Sequence, residues 1–461
     1  MGQETFGQFQ NSLKTSASNI KDVFPIVDEE TGNIAVFIAD AKNVYAYKLN
    51  EKIEVLQQLS SEEKLRKYKF LMGSSINTNG DYLIYLSNNS DRKFLCVSFS
   101  FDTQTTHHKE FAFEDRKERL LQTLNNNNQF YILSYHTTTD DIFIYTFDDS
   151  GNPTRNQLDF SEFDFISENS QMVSFKRMAL TFMGNSNIQK FNENDPHAIE
   201  SVAVDQKMYV RDGRVIFTFD QNDSFTQFVT LDLKTFKTDL EIYKKPLLTI
   251  PNLEKNSNSY LNGEYLFLLT NTRKEAELKI VKYKTKEIVN TYRIERDKPI
   301  DFKNSPIIQE GGIYARYREL EKTQKFLRKI YQGDVGISVM QRNDRYEVTL
   351  GGFVERNTGG MMVPGYGIPM ASGGNVVWYI EPTAIAYSNY RATKSTRIEC
   401  LFTANMNHVE GTILDNAFDK IDDDPTFSFQ ASETVFRYKD FYLKGFYDTE
   451  KKVYTFRKYT N

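Results

Sequence analysis

The sequence predicts an all-β fold built from repeated four-stranded antiparallel sheets. Three observations carry that reading. Apolar residues come in short alternating or continuous runs between clusters of Asn, Gly and Asp, and almost never at helical spacing. A turn-and-strand unit recurs at a nearly constant step. Aromatic residues make up 14% of the 461, as 36 Phe and 27 Tyr against a single Trp, which supplies the bulk needed to pack sheet against sheet.

The recurrent unit opens on a polar turn followed by an apolar strand. Thr31-Gly32-Asn33 leads into Ile34–Ile38, Asn79-Gly80-Asp81 into Tyr82–Leu86, and Asn127-Asn128-Gln129 into Phe130–Leu133. Asp212-Gly213-Arg214 then precedes Val215–Phe217, Asn262-Gly263-Glu264 precedes Tyr265–Leu268, and Gly311-Gly312 precedes Ile313–Tyr317. Gly32 to Gly80 is 48 residues, Gly80 to Asn128 is 48, Gly213 to Gly263 is 50 and Gly263 to Gly312 is 49. A second series keeps the same step: Val44–Tyr47, Phe94–Val97, Ile142–Tyr145, Phe228–Leu231, Leu278–Val281, Phe326–Lys329 and Ile398–Leu401.

A four-stranded unit with two apolar faces is stable only when both are covered. Stacking copies around an axis does this, and a period of about 40–50 residues is the mark of a β-propeller. The expectation is therefore a seven- or eight-bladed β-propeller, one domain spanning 1–461, with an insertion at 351–374. The last unit runs from Lys439 through Phe456 without a final strand. The segment Glu4–Phe9 stands too far from the first turn to open that blade, so it is expected to close the last one.

Composition bounds the function. The formal charge is -5, which gives no positive field for nucleic acid. Two cysteines, Cys96 and Cys400, make no disulfide framework and fall at equivalent strand positions, where buried free thiols are expected. No apolar run reaches the ~20 residues of a membrane-spanning helix. The start, Met1-Gly2-Gln3-Glu4-Thr5, resembles the Gln-led mature end of exported Gram-negative proteins, and export is the expectation.

With the repeat in view, the protein resembles the exported β-propeller proteins of Gram-negative bacteria, at the level of architecture. Its Lys-, Asn-, Tyr- and Phe-rich usage also resembles envelope proteins of bacteria that use type 9 secretion. No WD dipeptide, kelch glycine pair or Asp-box recurs, so no family's site is carried over. The resemblance implies a periplasmic or envelope protein, and as its specific form an accessory subunit of an outer-membrane translocon.

The most unusual segment is 351–374, which holds eight of the 23 glycines. From Gly359 onward it has no charge, three methionines and two prolines, bounded by paired glycines that read as hinges. Met adapts to irregular apolar partners, so Met361, Met362, Val363, Pro364, Tyr366, Ile368 and Met370 are the candidate partner-binding residues. A loop folded over its own protein is the competing reading.

The other candidates are weaker. His107 and His108 fall in a hairpin, and His136, His197 and His408 are isolated, so no zinc ligand set exists. Asp415, Asp419, Asp422, Asp423 and Asp424 raise calcium, but a solvated acidic turn ending at Pro425 fits better. Asp40 and Asp220, each just past a strand end, are the carboxylates a propeller glycosidase would need. No nucleophile motif is present, and no cofactor is expected. The leading expectation is a non-catalytic docking subunit that binds a protein, of which an outer-membrane protein is the expected kind. The alternative is a carbohydrate-binding or carbohydrate-active propeller, for which the lone Trp378 is a meagre platform. A cytoplasmic scaffold ranks third.

Overall fold

The computed structural model describes residues 5–10, 20–40, 44–61, 67–88, 90–180, 186, 188–247, 255–310, 317–354, 382–390, 395–424, 431–448 and 451–461. Among them are seven sheets of four or five strands and one two-stranded hairpin, Phe165–Ile166 with Met172–Val173. By internal contacts the protein divides into two compact units. One holds residues 1–159, 369–384 and 417–461, and the other 160–368 and 385–416.

The first unit contains three simple meanders. Ile20–Val27, Ile34–Asp40, Val44–Leu49 and Val55–Ser60 form the first. Tyr68–Ile76, Tyr82–Asn88, Lys93–Ser100 and Thr105–Ala112 form the second. Glu118–Asn126, Gln129–His136, Ile142–Phe147 and Pro153–Leu158 form the third. The unit's last sheet joins the two ends of the polypeptide. Ala431–Tyr438, Phe441–Asp448 and Val453–Tyr459 run in order, and Thr5–Gln10 adds at the edge, antiparallel to Val453–Tyr459. This is the pairing expected of the N-terminal segment.

Strand periodicity explains how the sheets stack. In Ile34–Asp40, Ile34, Val36 and Ile38 enter a core shared with the last sheet. Ala35 and Phe37, pointing the other way, enter a core shared with the second sheet. Tyr82, Ile84 and Leu86 join that same core, while Leu83 and Tyr85 face the third sheet. A strand covered on both faces reads as an unbroken apolar run, which is why these segments lack the polar alternation of a half-exposed strand. Fourth strands such as Val55–Ser60 and Thr105–Ala112 lie at the sheet edge and are largely exposed.

The turns ahead of the second strands show why their residues recur. Asp28 accepts hydrogen bonds at Oδ1 from the backbone of Glu30 at 3.0 Å and at Oδ2 from Thr31 Oγ1 at 2.5 Å. Gly32 and Gly80 close their turns at φ +71° and +79°, a conformation costly for other residues. Asn128 takes the equivalent place at φ +58°.

Besides the two-stranded hairpin, the second unit has three sheets among the described residues. Gln206–Arg211, Arg214–Phe219, Phe225–Asp232 and Thr238–Lys244 form a meander, to which Gln189–Phe191 adds in parallel. Asn256–Asn262, Tyr265–Asn271, Glu275–Lys282 and Ile288–Glu295 form the next. The third has the order Tyr317–Leu320, Ile307–Glu310, Thr396–Thr403, Arg345–Phe353, Asp334–Arg342. One apolar core runs through all three, from Tyr209 and Ile216 through Phe267 and Leu269 to Val339 and Cys400. Repeated four-stranded antiparallel sheets covered face to face are the construction of a β-propeller, and the protein is of that class.

One anchor of the repeat is corrected. Phe326–Lys329 is not a strand but part of a helix, Thr323–Tyr331. Thr323, Phe326, Leu327 and Ile330 are its buried residues, a helical spacing centred on an apolar pair that also suits a strand. The hairpin Ile307–Glu310 with Tyr317–Leu320 therefore builds no sheet of its own. It joins, through Thr396–Thr403, the sheet that follows.

The N-terminal strand buries Phe9, whose ring lies 4.8 Å from that of Tyr47 and 5.7 Å from that of Tyr454. Phe9→Ala is expected to cost about 3–5 kcal/mol in denaturant unfolding, the usual loss for a buried Phe. A loss below about 1 kcal/mol would show that the strand is not integral to its sheet.

Candidate functional site

Of the two carboxylates singled out in the sequence, Asp220 proves to be the centre of a buried ionic cluster. It follows the strand Arg214–Phe219, whose apolar run carries it inside. Asp220 Oδ2 lies 3.4 Å from Lys207 Nζ, and Oδ1 lies 3.6 Å from Lys245 Nζ, all three side chains wholly buried. Thr226 Oγ1 donates to Oδ1 at 2.6 Å, and Ser259 donates to Oδ2 from its backbone N at 2.9 Å and from Oγ at 2.7 Å. The lysines are satisfied too. Lys245 Nζ donates to the carbonyls of Asp220 and Asn222, both at 2.7 Å, and to Ser257 Oγ at 2.8 Å. Lys207 Nζ donates to the Val204 carbonyl at 2.6 Å and to Asn258 Oδ1 at 3.1 Å.

The cluster ties two neighbouring sheets of the second unit, since Ser257, Asn258 and Ser259 belong to Asn256–Asn262. Burial by itself would raise the Asp220 pKa. The ammonium groups of Lys245 and Lys207, with the hydroxyls of Thr226 and Ser259, hold it below the usual carboxylate range. Burial pulls both lysines down, against the attraction of Asp220 and Asp205. Asp205 completes the charge balance. It keeps a solvent-facing surface but is set in dense protein, and that environment together with Asp220 pushes it up to about 6, against the pull of the two lysines.

A carboxylate with both oxygens engaged and no solvent access does not reach a substrate. Asp220 is a clasp between sheets and not the acid or base of a glycosidase. The sequence signal for its lysines is Lys207, two residues before the aromatic Tyr209 in Gln206-Lys207-Met208-Tyr209-Val210 and therefore on the same face of the strand. Asp40 is the last residue of Ile34–Asp40, paired through its backbone with Ile20, and its side chain lies outside the described residues.

The remaining candidates are not brought together. Among the described residues no three His, Cys, Asp or Glu side chains are grouped to hold a metal ion. Asp424 is buried and accepts from Arg457 Nη1 and Tyr459 Oη, both at 2.7 Å, so it serves the last strand. Asp422 and Asp423 are exposed. His107 and His108 lie within Thr105–Ala112 itself and not in a hairpin turn. His136 faces Asp115 at 3.6 Å, His197 contacts the Asn192 carbonyl and His408 contacts Asn304, both at 3.2 Å. Cys96 and Cys400 are free and buried, and burial pushes the Cys96 thiol up to about 12.

Met361, Met362, Val363, Pro364, Tyr366, Ile368, Met370 and Trp378 lie outside the described residues. The start of their segment is corrected, however. Gly351 and Gly352 are not hinges but strand residues, paired with Gly336 and Val335. A Cβ on Gly351 would come within 2.6 Å of the Thr396 carbonyl oxygen, and one on Gly352 within 2.9 Å of Ile330 Cα. They are glycines because neighbouring backbone occupies the space of a side chain. The strand ends at Phe353, and Val354 beyond it is exposed.

No protein-family model matches the sequence, and no curated protein matches it. Among solved structures it is similar to the β-propeller domain of Nup133 from Vanderwaltozyma polyspora, at 10% identity and a TM-score of 0.37, over 97% of this protein and 96% of that domain. It is similar also to the β-propeller domain of the trilobed protease from Pyrococcus furiosus, at 9% identity and a TM-score of 0.30, over 72% and 79%. An ACO/RPE65 chimera matches at 11% identity and a TM-score of 0.28, over 64% of this protein and 63% of the chimera.

Two outcomes follow from the ionic cluster. Asp220→Asn leaves two buried ammonium groups facing one another and is expected to cost about 3–5 kcal/mol in chemical denaturation. Wild-type stability in that variant would remove Asp220 from the role of clasp. Asp205 works the opposite way. Its folded pKa, about 6, exceeds the ordinary aspartate value of 3.8, so the folded state holds its proton more tightly and stability falls as pH rises between them. Asp205→Asn is expected to melt at a higher temperature than the parent at about pH 7.5, the difference closing below about pH 4. A lower melting temperature at the higher pH would show that the ionised carboxylate is stabilising.

Proposed function

We propose that the protein is a non-catalytic docking subunit, exported to the cell envelope, that binds a protein partner through residues 359–374. The observation that carries this reading is chemical. Sixteen consecutive uncharged residues hold Met361, Met362, Val363, Pro364, Tyr366, Ile368 and Met370, a set suited to an irregular apolar surface.

The partner is proposed to be an outer-membrane protein, and in the most specific form the subunit caps or plugs a translocon of type 9 secretion. The sequence style that resembles envelope proteins of such bacteria supports this form. The carbohydrate reading loses ground for a physical reason: Asp220 is consumed by Lys207 and Lys245.

The test is affinity purification of the tagged full-length protein from envelope extracts, beside a variant lacking 359–374 shown to melt as the parent does. The expected outcome is an outer-membrane protein recovered with the parent and lost with the deletion. An unchanged partner profile sinks the docking role of the segment. Recovery of the natural protein wholly in the cytosol sinks its export.

A further inference from the structure

Residues 189–202 run from an edge strand to a short helix and are tied to all three sheets of the second unit. Gln189, Lys190 and Phe191 pair in parallel with Lys207, Met208 and Tyr209 of the first. In the turn that follows, Glu193 accepts from Arg211 Nη1 at 2.9 Å and from the backbone N of Gly263, beside the second sheet, at 2.7 Å. Asn194 Oδ1 accepts from Asn262 Nδ2 at 2.9 Å and from the backbone N of Gln341, in the third sheet, at 2.8 Å. The helix Ile199–Val202 lies so close to the third sheet that a Cβ on Gly336 would come within 2.8 Å of the Ile199 carbonyl oxygen. Phe191, Ile199 and Val202 belong to the core that runs through all three sheets. Whatever loosens this segment loosens their junction.

His197 sits inside the segment and is buried. Phe191 and Tyr260 wall its ring, with centroids 5.0 and 6.2 Å away. Its Nε2 lies 3.2 Å from the Asn192 carbonyl, so this nitrogen is assigned the proton and donates. Nδ1 is enclosed and meets no hydrogen-bond partner among the described residues. The place therefore fits a neutral imidazole. A second proton, on Nδ1, would put a donor and a positive charge where no acceptor waits. Burial pushes the His197 pKa below its ordinary value, against the attraction of Asp195 in the same turn and the bond to Asn192. Asp195 is the one charged group that acts on it among the described residues. The strands Gln206–Arg211 and Asn256–Asn262 bring the phenols of Tyr209 and Tyr260 to this aromatic group, and Arg211 is bonded to Glu193.

We infer that residues 189–202 are an acid-released latch, closed while His197 is neutral and opened when it takes a second proton. In an open segment His197 regains its ordinary pKa of about 6.5, whereas the closed segment holds it lower, so the open state binds the proton better. The latch is at full strength above about pH 6.5. It weakens by up to about tenfold for each pH unit below that, until the pKa of the closed state is reached. Asp205 works in the opposite direction, since its raised pKa makes acid strengthen the folded state. Release breaks the bonds of Glu193 and Asn194 to the second and third sheets. It also uncovers Phe191, Ile199 and Val202, an apolar surface that the neutral protein keeps hidden. This device stands apart from the docking reading above.

The test is hydrogen exchange of the full-length protein, read by mass spectrometry over 189–202 at pH 7.5 and 5.0 and corrected for the intrinsic exchange rate. Opening of this segment is expected to rise about tenfold or more at pH 5.0, while Tyr82–Asn88 in the first unit stays protected. His197→Gln, whose side-chain amide donates to the Asn192 carbonyl without titrating, is expected to abolish the rise. Equal opening at the two pH values, or the same rise in His197→Gln, overturns the latch. Loosening of all the sheets in step overturns it too, because that is general acid unfolding. Should His197→Gln fail to fold, NMR of the parent with ring-labelled histidine decides, His197 being assigned by replacing the other four. A pKa below about 6.5 is expected, and one at or above that value overturns the latch.

Discussion

A four-stranded sheet that is apolar on both faces cannot stand alone in water, and nearly every feature of this protein follows from that constraint. Ile34–Asp40 sends alternate side chains into two different cores, and so does Tyr82–Asn88. Each sheet therefore completes its neighbour's core as well as its own. At about 25 cal/mol for each Å² of apolar surface removed from water, the gain depends on covering both faces. The aromatic content serves this purpose. Stacks such as Phe24 on Phe37 at 5.2 Å and Tyr85 on Phe130 at 4.4 Å fill the space within and between sheets. The sheet made from the C-terminal strands takes its edge from the other end of the polypeptide, so that Thr5–Gln10 supplies what Val453–Tyr459 lacks.

Packing of this kind makes an unengaged polar group costly, and some of those found inside are fully engaged. The Asp220 cluster is the clearest instance. Two ammonium groups and one carboxylate are costly to desolvate, and the cost is tolerable because every one of them is also hydrogen-bonded to backbone or hydroxyl groups. Such a cluster holds two sheets at one relative register, since a shift would leave a bare charge in a dry interior. Glu118 plays a related part in the third sheet. It pairs with Arg155 at 2.8 Å and accepts from Tyr145 and Ser134 at 2.9 and 3.0 Å.

The apolar segment at 359–374 is visible in composition, because a long uncharged stretch with paired glycines is conspicuous in a sequence that is 26% charged.

The sequence by itself determined the repeat, the strand order within the meanders and the role of the N-terminal segment. Those features depend on local periodicity and on turn residues such as Gly32, Gly80 and Asn128, whose positive φ is a property of a few adjacent residues. It misled at Phe326–Lys329, where an apolar pair suits strand or helix equally and packing against the neighbouring sheet chose the helix. It misled again at Gly351 and Gly352, because a glycine required by a nearby backbone looks the same as one required for flexibility. The fate of Asp220 was decided only by tertiary structure. Whether an aspartate after a strand is a catalyst or a clasp depends on what lies across from it, and Lys245 and Ser259, 25 and 39 residues further along the sequence, are brought there by the stacking of sheets.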